Sequence, residues 1–124
     1  MMQMSRIERA RELQDRTKKF ALRIMVAFSR LPKLEEARVL GRQFLRSGTS
    51  VAANYRAACR ARSAADFISK INNVAEEADE TLFWLELLVE ANLVPAKIVE
   101  SLLVECEELL KIFSASLATA KANR

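Results

Sequence analysis

Apolar residues recur at intervals of three and four along nearly the whole chain. Four series carry the pattern: Ile7, Ala10, Leu13, Thr17, Phe20, Ile24, Phe28, Leu31; then Leu40, Phe44, Ser47, Val51, Asn54 or Tyr55, Ala58; then Phe67, Ile71, Val74, Ala78, Leu82, Leu85, Val89; and Val99, Leu102, Cys106, Leu109, Phe113, Leu117, Ala120. That spacing lines one face of an α-helix, whereas a half-buried strand would alternate every second residue. Two glycines and two prolines in 124 residues leave little material for hairpin turns. The pattern predicts an all-α fold, one antiparallel up-down-up-down four-helix bundle, with helices over roughly 5–31, 35–62, 64–91 and 95–120.

The boundaries have their own signals. Ser5 and Glu8 have capping-box spacing, Pro32 disfavours helical backbone at Leu31, and Glu35 and Glu36 suit the positive end of a second helix dipole. Ser63 and Asp66 repeat the serine-to-acid spacing, and Pro95 is tolerated in a first turn. Residues 1–4 are expected to fray. No apolar run approaches a membrane span of roughly 18 to 20 residues, and the charged N-terminal region lacks the apolar core of a secretory signal, so a cytoplasmic location is expected. Cys59 and Cys106 occupy apolar helical positions far apart and read as reduced core thiols.

Charge divides the chain. Residues 1–62 hold 15 lysines and arginines against 5 carboxylates, and residues 63–124 hold 5 against 11, so halves of +10 and −6 lie within a net +4. Arg9, Arg16, Arg23 and Arg30 are each seven residues apart and are expected opposite the first apolar seam, as a phosphate track or a merely hydrated face. Arg56, Arg60 and Arg62 add a second basic group.

The stretch 46–63 combines small residues with arginines and a lone Asn54. If the second and third helices turn near Ser63, facing residue numbers add to about 126. Arg46 then meets Glu80, Ser50 meets Glu76, Gly48 meets Ala78, Asn54 meets Asn72 or Asn73, and Gly41 or Arg42 meets Trp84. Arg46, Ser50, Asn54, Glu76 and Glu80 are thus expected as a polar network that fixes one register.

The acidic run 76–80 lies where ferritin-like proteins carry metal ligands, but such sites need histidines, and the chain has none. The same absence removes Ser-His and Cys-His nucleophile pairs, and two glycines seven apart build no phosphate loop. A non-enzymatic protein without cofactor is the expectation. Five phenylalanines fall on inner seams, leaving Tyr55, Phe83 and Trp84 as the exposed or interfacial rings, so any nucleic-acid binding would be chiefly electrostatic. Phe83, Trp84, Leu87 and Leu88 widen the third helix beyond what a bundle core needs and are the candidate oligomer interface.

Arg46-Ser47-Gly48-Thr49-Ser50-Val51-Ala52-Ala53-Asn54, followed by Arg62-Ser63 with Asp66-Phe67-Ile68, and then Glu76-Glu77-Ala78-Asp79-Glu80-Thr81 with Trp84-Leu85-Glu86-Leu87-Leu88, resembles a bacterial four-helix-bundle family. That family includes the proteins encoded in intervening sequences of 23S ribosomal RNA genes. A more distant similarity is to the accessory protein of diversity-generating retroelements, a basic pentamer that engages nucleic acid. The resemblance implies an antiparallel four-helix protomer in a homopentameric ring, and no enzymatic activity. Where many members continue after the asparagine with hydrophobic-Ala-Glu-Gly, this chain has Tyr55-Arg56-Ala57-Ala58. Together these readings give an oligomeric scaffold that contacts RNA or DNA backbone; the alternative is a protein-interaction adapter using the Trp84 and Leu87 surface.

Overall fold

The structure, a computed structural model, describes residues 5–124; the fraying expected of residues 1–4 lies outside them. Four helices follow in order: α1 (Arg6–Ser29), α2 (Glu35–Ala58), α3 (Ala64–Glu90) and α4 (Ala96–Ala122). The Ser5 hydroxyl accepts from the Glu8 N–H at 3.1 Å, and the Ser63 hydroxyl from the Asp66 N–H at 3.0 Å, so both serines satisfy a donor that the helix start leaves free. The third helix closes on Asn92, in left-handed backbone with φ 60°, while the Leu93 N–H returns to the Leu88 carbonyl. That is a Schellman arrangement with asparagine in place of glycine.

The second helix ends at Ala58 rather than 62. Arg60 and Ala61 donate to carbonyls only three residues back, and the Arg62 N–H is taken by the Asp66 carboxylate. No glycine or proline marks this stop: reversing the chain into the Ser63 cap consumes the last residues of the apparent helical run.

Consecutive helices pack as an up-down bundle, α2 on α3 most extensively and α1 on α4 least. Phe20, Ile24, Phe44, Val51, Ile71, Val74, Leu85, Leu88, Leu109 and Phe113 lie in the centre of the core. Two seams shift from the expected rows. Gly41 and Tyr55 are buried on α2 while Leu40 and Asn54 are half-buried, and α3 buries Thr81 and Leu88 more deeply than Leu82 and Val89. A helix touching two neighbours needs a face wider than one row, and the deepest row follows the closest neighbour. Tyr55, offered both as an alternative to Asn54 on the second seam and as an exposed or interfacial ring, takes the seam position and is buried with its ring centroid 5.6 Å from that of Phe113.

The two glycines receive α1. A Cβ on Gly48 would lie 2.7 Å from Cγ1 and Cγ2 of Ile24, and one on Gly41 would lie 2.7 Å from Leu31 Cδ1 and 3.2 Å from Phe28 Cε1. The expected partners on α3, Ala78 for Gly48 and Trp84 for Gly41, are therefore not what the glycines accommodate. Missing side chains on α2 admit Ile24 and Phe28 from α1 and Leu31 from the connection that follows it, which lets two long helices approach despite large residues at every third or fourth place.

Candidate functional site

The polar seam between α2 and α3 centres on Arg46. One guanidinium nitrogen lies 3.3 Å from the Glu77 carboxylate, the other pairs with Glu80, and the Arg46 Nε–H donates to Gln43. Glu80 also accepts from the Trp84 indole N–H at 3.2 Å, which turns the indole along its own helix rather than toward Gly41 or Arg42. Burial outweighs the neighbouring guanidinium at Glu77 and holds its carboxyl above the ordinary range, with Glu80 and Glu76 adding repulsion. Deeper in the same seam the Thr81 hydroxyl lies 2.9 Å from Ser47 Oγ and 2.7 Å from the Glu77 carbonyl, and Ser47 donates back to Phe44. Ser47 and Thr81 are the fully buried polar pair of this seam, and their interaction was not anticipated from spacing because Ser47 reads as an ordinary seam residue and Thr81 falls outside the expected third-helix series.

Other expected contacts are replaced. Glu76 accepts from Asn72 within α3 at 3.0 Å, and among the described residues no side-chain hydrogen bond joins Ser50 to Glu76 or Asn54 to Asn72 or Asn73. Ser50 and Asn54 are half-buried on the flank of α2. Side chains this short do not span a helix pair unless they lie at the line of closest approach, and that line belongs to Ser47 and Thr81.

The α1 arginines do not lie opposite the core. Arg16 and Arg23 directly precede buried Thr17 and Ile24, which places them on the flank facing α4. Arg16 is held by two oxygens of Glu105 at 2.9 and 2.7 Å and by Glu108 at 3.0 Å, so its guanidinium is kept protonated well above its ordinary range, chiefly by Glu105. Arg23 donates to Ser101 at 2.8 Å. Arg9 and Arg30 are exposed.

Antiparallel packing brings the start of α1 beside the end of α2. Arg9 therefore shares one pole of the bundle with Arg56, Arg60 and Arg62, all exposed and without an ion-pair partner among the described residues. An open groove of about 390 Å³ between α1 and α2, lined by Gln14, Asp15, Lys18, Thr49, Ala52, Ala53 and Arg56, leads into this pole. Lys70, nearby, is occupied by Asp66 at 2.9 Å.

The candidate interface on α3 is dispersed. Leu88 is fully buried, because it continues the row Val74, Ala78, Thr81, Leu85 by a further three residues. Trp84 and Leu87 are half-buried; Phe83 alone of the four is exposed, edge-on to Trp84 at 5.0 Å between ring centroids. Leu22, Met25 and Val26 on α1, with Ile98 and Val104 on α4, are also exposed. The sequence carried a signal for these: they are large apolar residues that fit no seam series.

No helix is long and apolar enough to cross a membrane among the described residues. No curated protein matches the chain. It is similar in structure to a protein with unknown function from the S23 ribosomal protein family of Bacteroides thetaiotaomicron VPI-5482, at 38% identity and TM-score 0.78, over 84% of this chain and 96% of that one. A family model for the 23S rRNA-intervening sequence protein matches residues 9–115, and the chain belongs to that family.

Proposed function

We propose that this chain is a non-enzymatic, self-associating helical scaffold that contacts the backbone of RNA or DNA through one basic pole. The observation that carries this is the gathering of Arg9, Arg56, Arg60 and Arg62 at one end of the bundle, exposed and with no guanidinium ion pair among the described residues. Cations already neutralised, such as Arg16 and Arg46, release no counterions on binding, whereas hydrated ones do. Arg30 lies at the opposite pole, so the surface is an end of the bundle rather than a track along α1. With Phe20, Phe44 and Phe113 in the core and exposed Phe83 in the half of α3 away from this pole, the contact is electrostatic and weakly selective for sequence. The family's link to intervening sequences of ribosomal RNA makes structured RNA the first ligand to test.

Binding of a structured RNA is measured by fluorescence anisotropy at several salt concentrations. Replacing Arg9, Arg56, Arg60 and Arg62 with Gln is expected to weaken binding steeply at low salt and to flatten the log–log salt slope by about 3, at roughly 0.7 to 0.9 per lost phosphate contact. No binding at low salt, or a variant that binds as the parent does, overturns the reading.

A second reading, a protein-interaction adapter, is favoured by the exposed Phe83 beside Trp84. Capture from lysate before and after nuclease treatment separates the two: an adapter keeps its partners, and a nucleic-acid scaffold loses them.

A further inference from the structure

The open groove between α1 and α2 gathers polar groups that the bundle itself does not employ. Its floor is small. Ala52 and Ala53, with Thr49 a turn before them, leave about 390 Å³ where longer side chains on α2 would reach α1. That volume falls within the roughly 300 to 1,000 Å³ of small-molecule sites. Ile24, seated on Gly48, fixes the register of the two antiparallel helices and sets Asp15 level with Arg56, and Lys18 level with Asn54 beside Ala53. Gln14, Asp15, Lys18 and Arg56 complete the lining, and among the described residues none of their side chains enters a side-chain hydrogen bond or an ion pair. Asp15 and Lys18 are three apart on one helix, the spacing that pairs Glu35 with Arg38, yet they stay separate.

A bare phosphate does not match this set. Two cations attract it, but a carboxylate level with Arg56 repels it, and the Gln14 amide is left without a role. The set suits a ligand that carries both an anion and a flat edge of hydrogen-bond donors, which describes a nucleotide. Among the four bases guanine alone presents two adjacent donors on its Watson–Crick edge, N1–H and N2–H, and a carboxylate accepts from both in one bidentate pair. Adenine and cytosine place an acceptor beside their amino group, and uracil flanks its single N–H with two carbonyls, so each would turn a lone pair toward Asp15.

We infer that the α1–α2 groove takes one unpaired guanosine of the bound strand. Asp15 accepts from N1–H and N2–H, the Gln14 amide donates to O6, and the base plane rests on Ala52 and Ala53, while Lys18 and Arg56 hold the flanking phosphates. The groove opens into the basic pole, so the strand continues from it onto Arg9, Arg60 and Arg62. This rests on the nucleic-acid contact proposed above and adds to a largely unselective surface a preference at a single base.

The test uses an RNA hairpin whose loop of uridines holds one guanosine, a second hairpin with inosine in its place, which lacks only the N2 amino group, and guanosine monophosphate as a competitor. With protein freed of nucleic acid, fluorescence anisotropy at low salt is expected to show the guanosine hairpin bound about 10-fold more tightly than the inosine one. Asp15→Asn is expected to bring the two hairpins to equal affinity by weakening the guanosine one. Electrostatics alone gives the opposite sign, because this substitution removes a negative charge from a basic surface. Asp15 is exposed, so helical circular dichroism is expected to be retained. Lys18→Gln is expected to weaken both hairpins and keep their ratio. Free guanosine monophosphate reaches none of Arg9, Arg60 and Arg62 and is expected to compete only in large excess; competition at equal concentration overturns the assignment to a strand. No binding of either hairpin overturns this inference together with the nucleic-acid reading. Equal affinity of the parent for the two hairpins, or an Asp15→Asn chain that binds the guanosine hairpin more tightly, overturns the guanosine site alone and leaves the basic pole in place.

Discussion

At the scale of single residues, Gly48 has the sharpest consequence. Helix propensity alone favours Ala over Gly by about 1 kcal/mol. The new Cβ would meet both branches of Ile24 at 2.7 Å, and a β-branched side chain at the centre of the core has little room to yield. Gly48→Ala is expected to destabilise by about 1 to 3 kcal/mol in urea denaturation. Gly41→Ala, whose closest contact is the movable tip of Leu31, is expected to cost less, and the reverse order would refute this account of the glycines. Cys106 makes a second residue-level prediction. Burial, with repulsion from nearby carboxylates, pushes its thiol up to about 12, so the native form keeps a proton that the unfolded form gives up near the ordinary value of 9.0. Its contribution is fully present below pH 9 and is lost as pH rises toward 12. Burial raises the Tyr55 phenol too, and acts with the same sign. Stability is therefore expected to fall between pH 9 and 11, less steeply in Cys106→Ala, and a thiol reagent at neutral pH should label half-buried Cys59 before Cys106.

Between elements, the α1–α4 edge depends on few contacts, and the Arg16 fork is prominent among them. The side chains of Arg16 and Glu105 are 31 and 19% exposed, which places the pair between a screened surface bridge and a buried one. Arg16→Gln is expected to cost about 1 to 2 kcal/mol. Its signature is faster amide hydrogen exchange in the N-terminal half of α1, with α2 and α3 unchanged; uniform acceleration across the bundle would show that the edge has no local role. The helix starts behave differently. Ser63→Ala removes the acceptor for the Asp66 N–H at the α2–α3 turn and is expected to cost about 1 kcal/mol, measured as a lower urea midpoint at unchanged slope. Both caps were legible in the sequence because each contact runs from a serine hydroxyl to the N–H three residues on, within a single helical turn. The early end of α2 was not, since nothing within 59–62 forbids helix and only the geometry of the return into α3 stops it.

For the molecule as a whole, the apolar periodicity by itself determined four amphipathic helices, their order and their sequential packing. Local backbone chemistry sets that period, and short connections force antiparallel neighbours. The sequence also carried the Arg46 to Glu80 pairing, because a turn of known position fixes the register of the two helices it joins. It could not say how helices rotate about their own axes, and rotation decided the rest. A modest turn of α2 put Gly41, Gly48 and Tyr55 inward and left Asn54 on the flank. The facing of α1 put Arg16 and Arg23 on the flank beside α4, where Glu105 and Ser101 take their guanidinium groups, so the unpaired arginines gather at the pole shared by Arg9, Arg56, Arg60 and Arg62 instead of along a helix. Rotation also buried Leu88 while leaving Phe83, Val39, Val26 and Ile98 uncovered. Each apolar row is wide enough to admit several orientations that bury similar area; the choice among them is made by side-chain shape and ion pairs on all four helices together, and only the assembled bundle contains them.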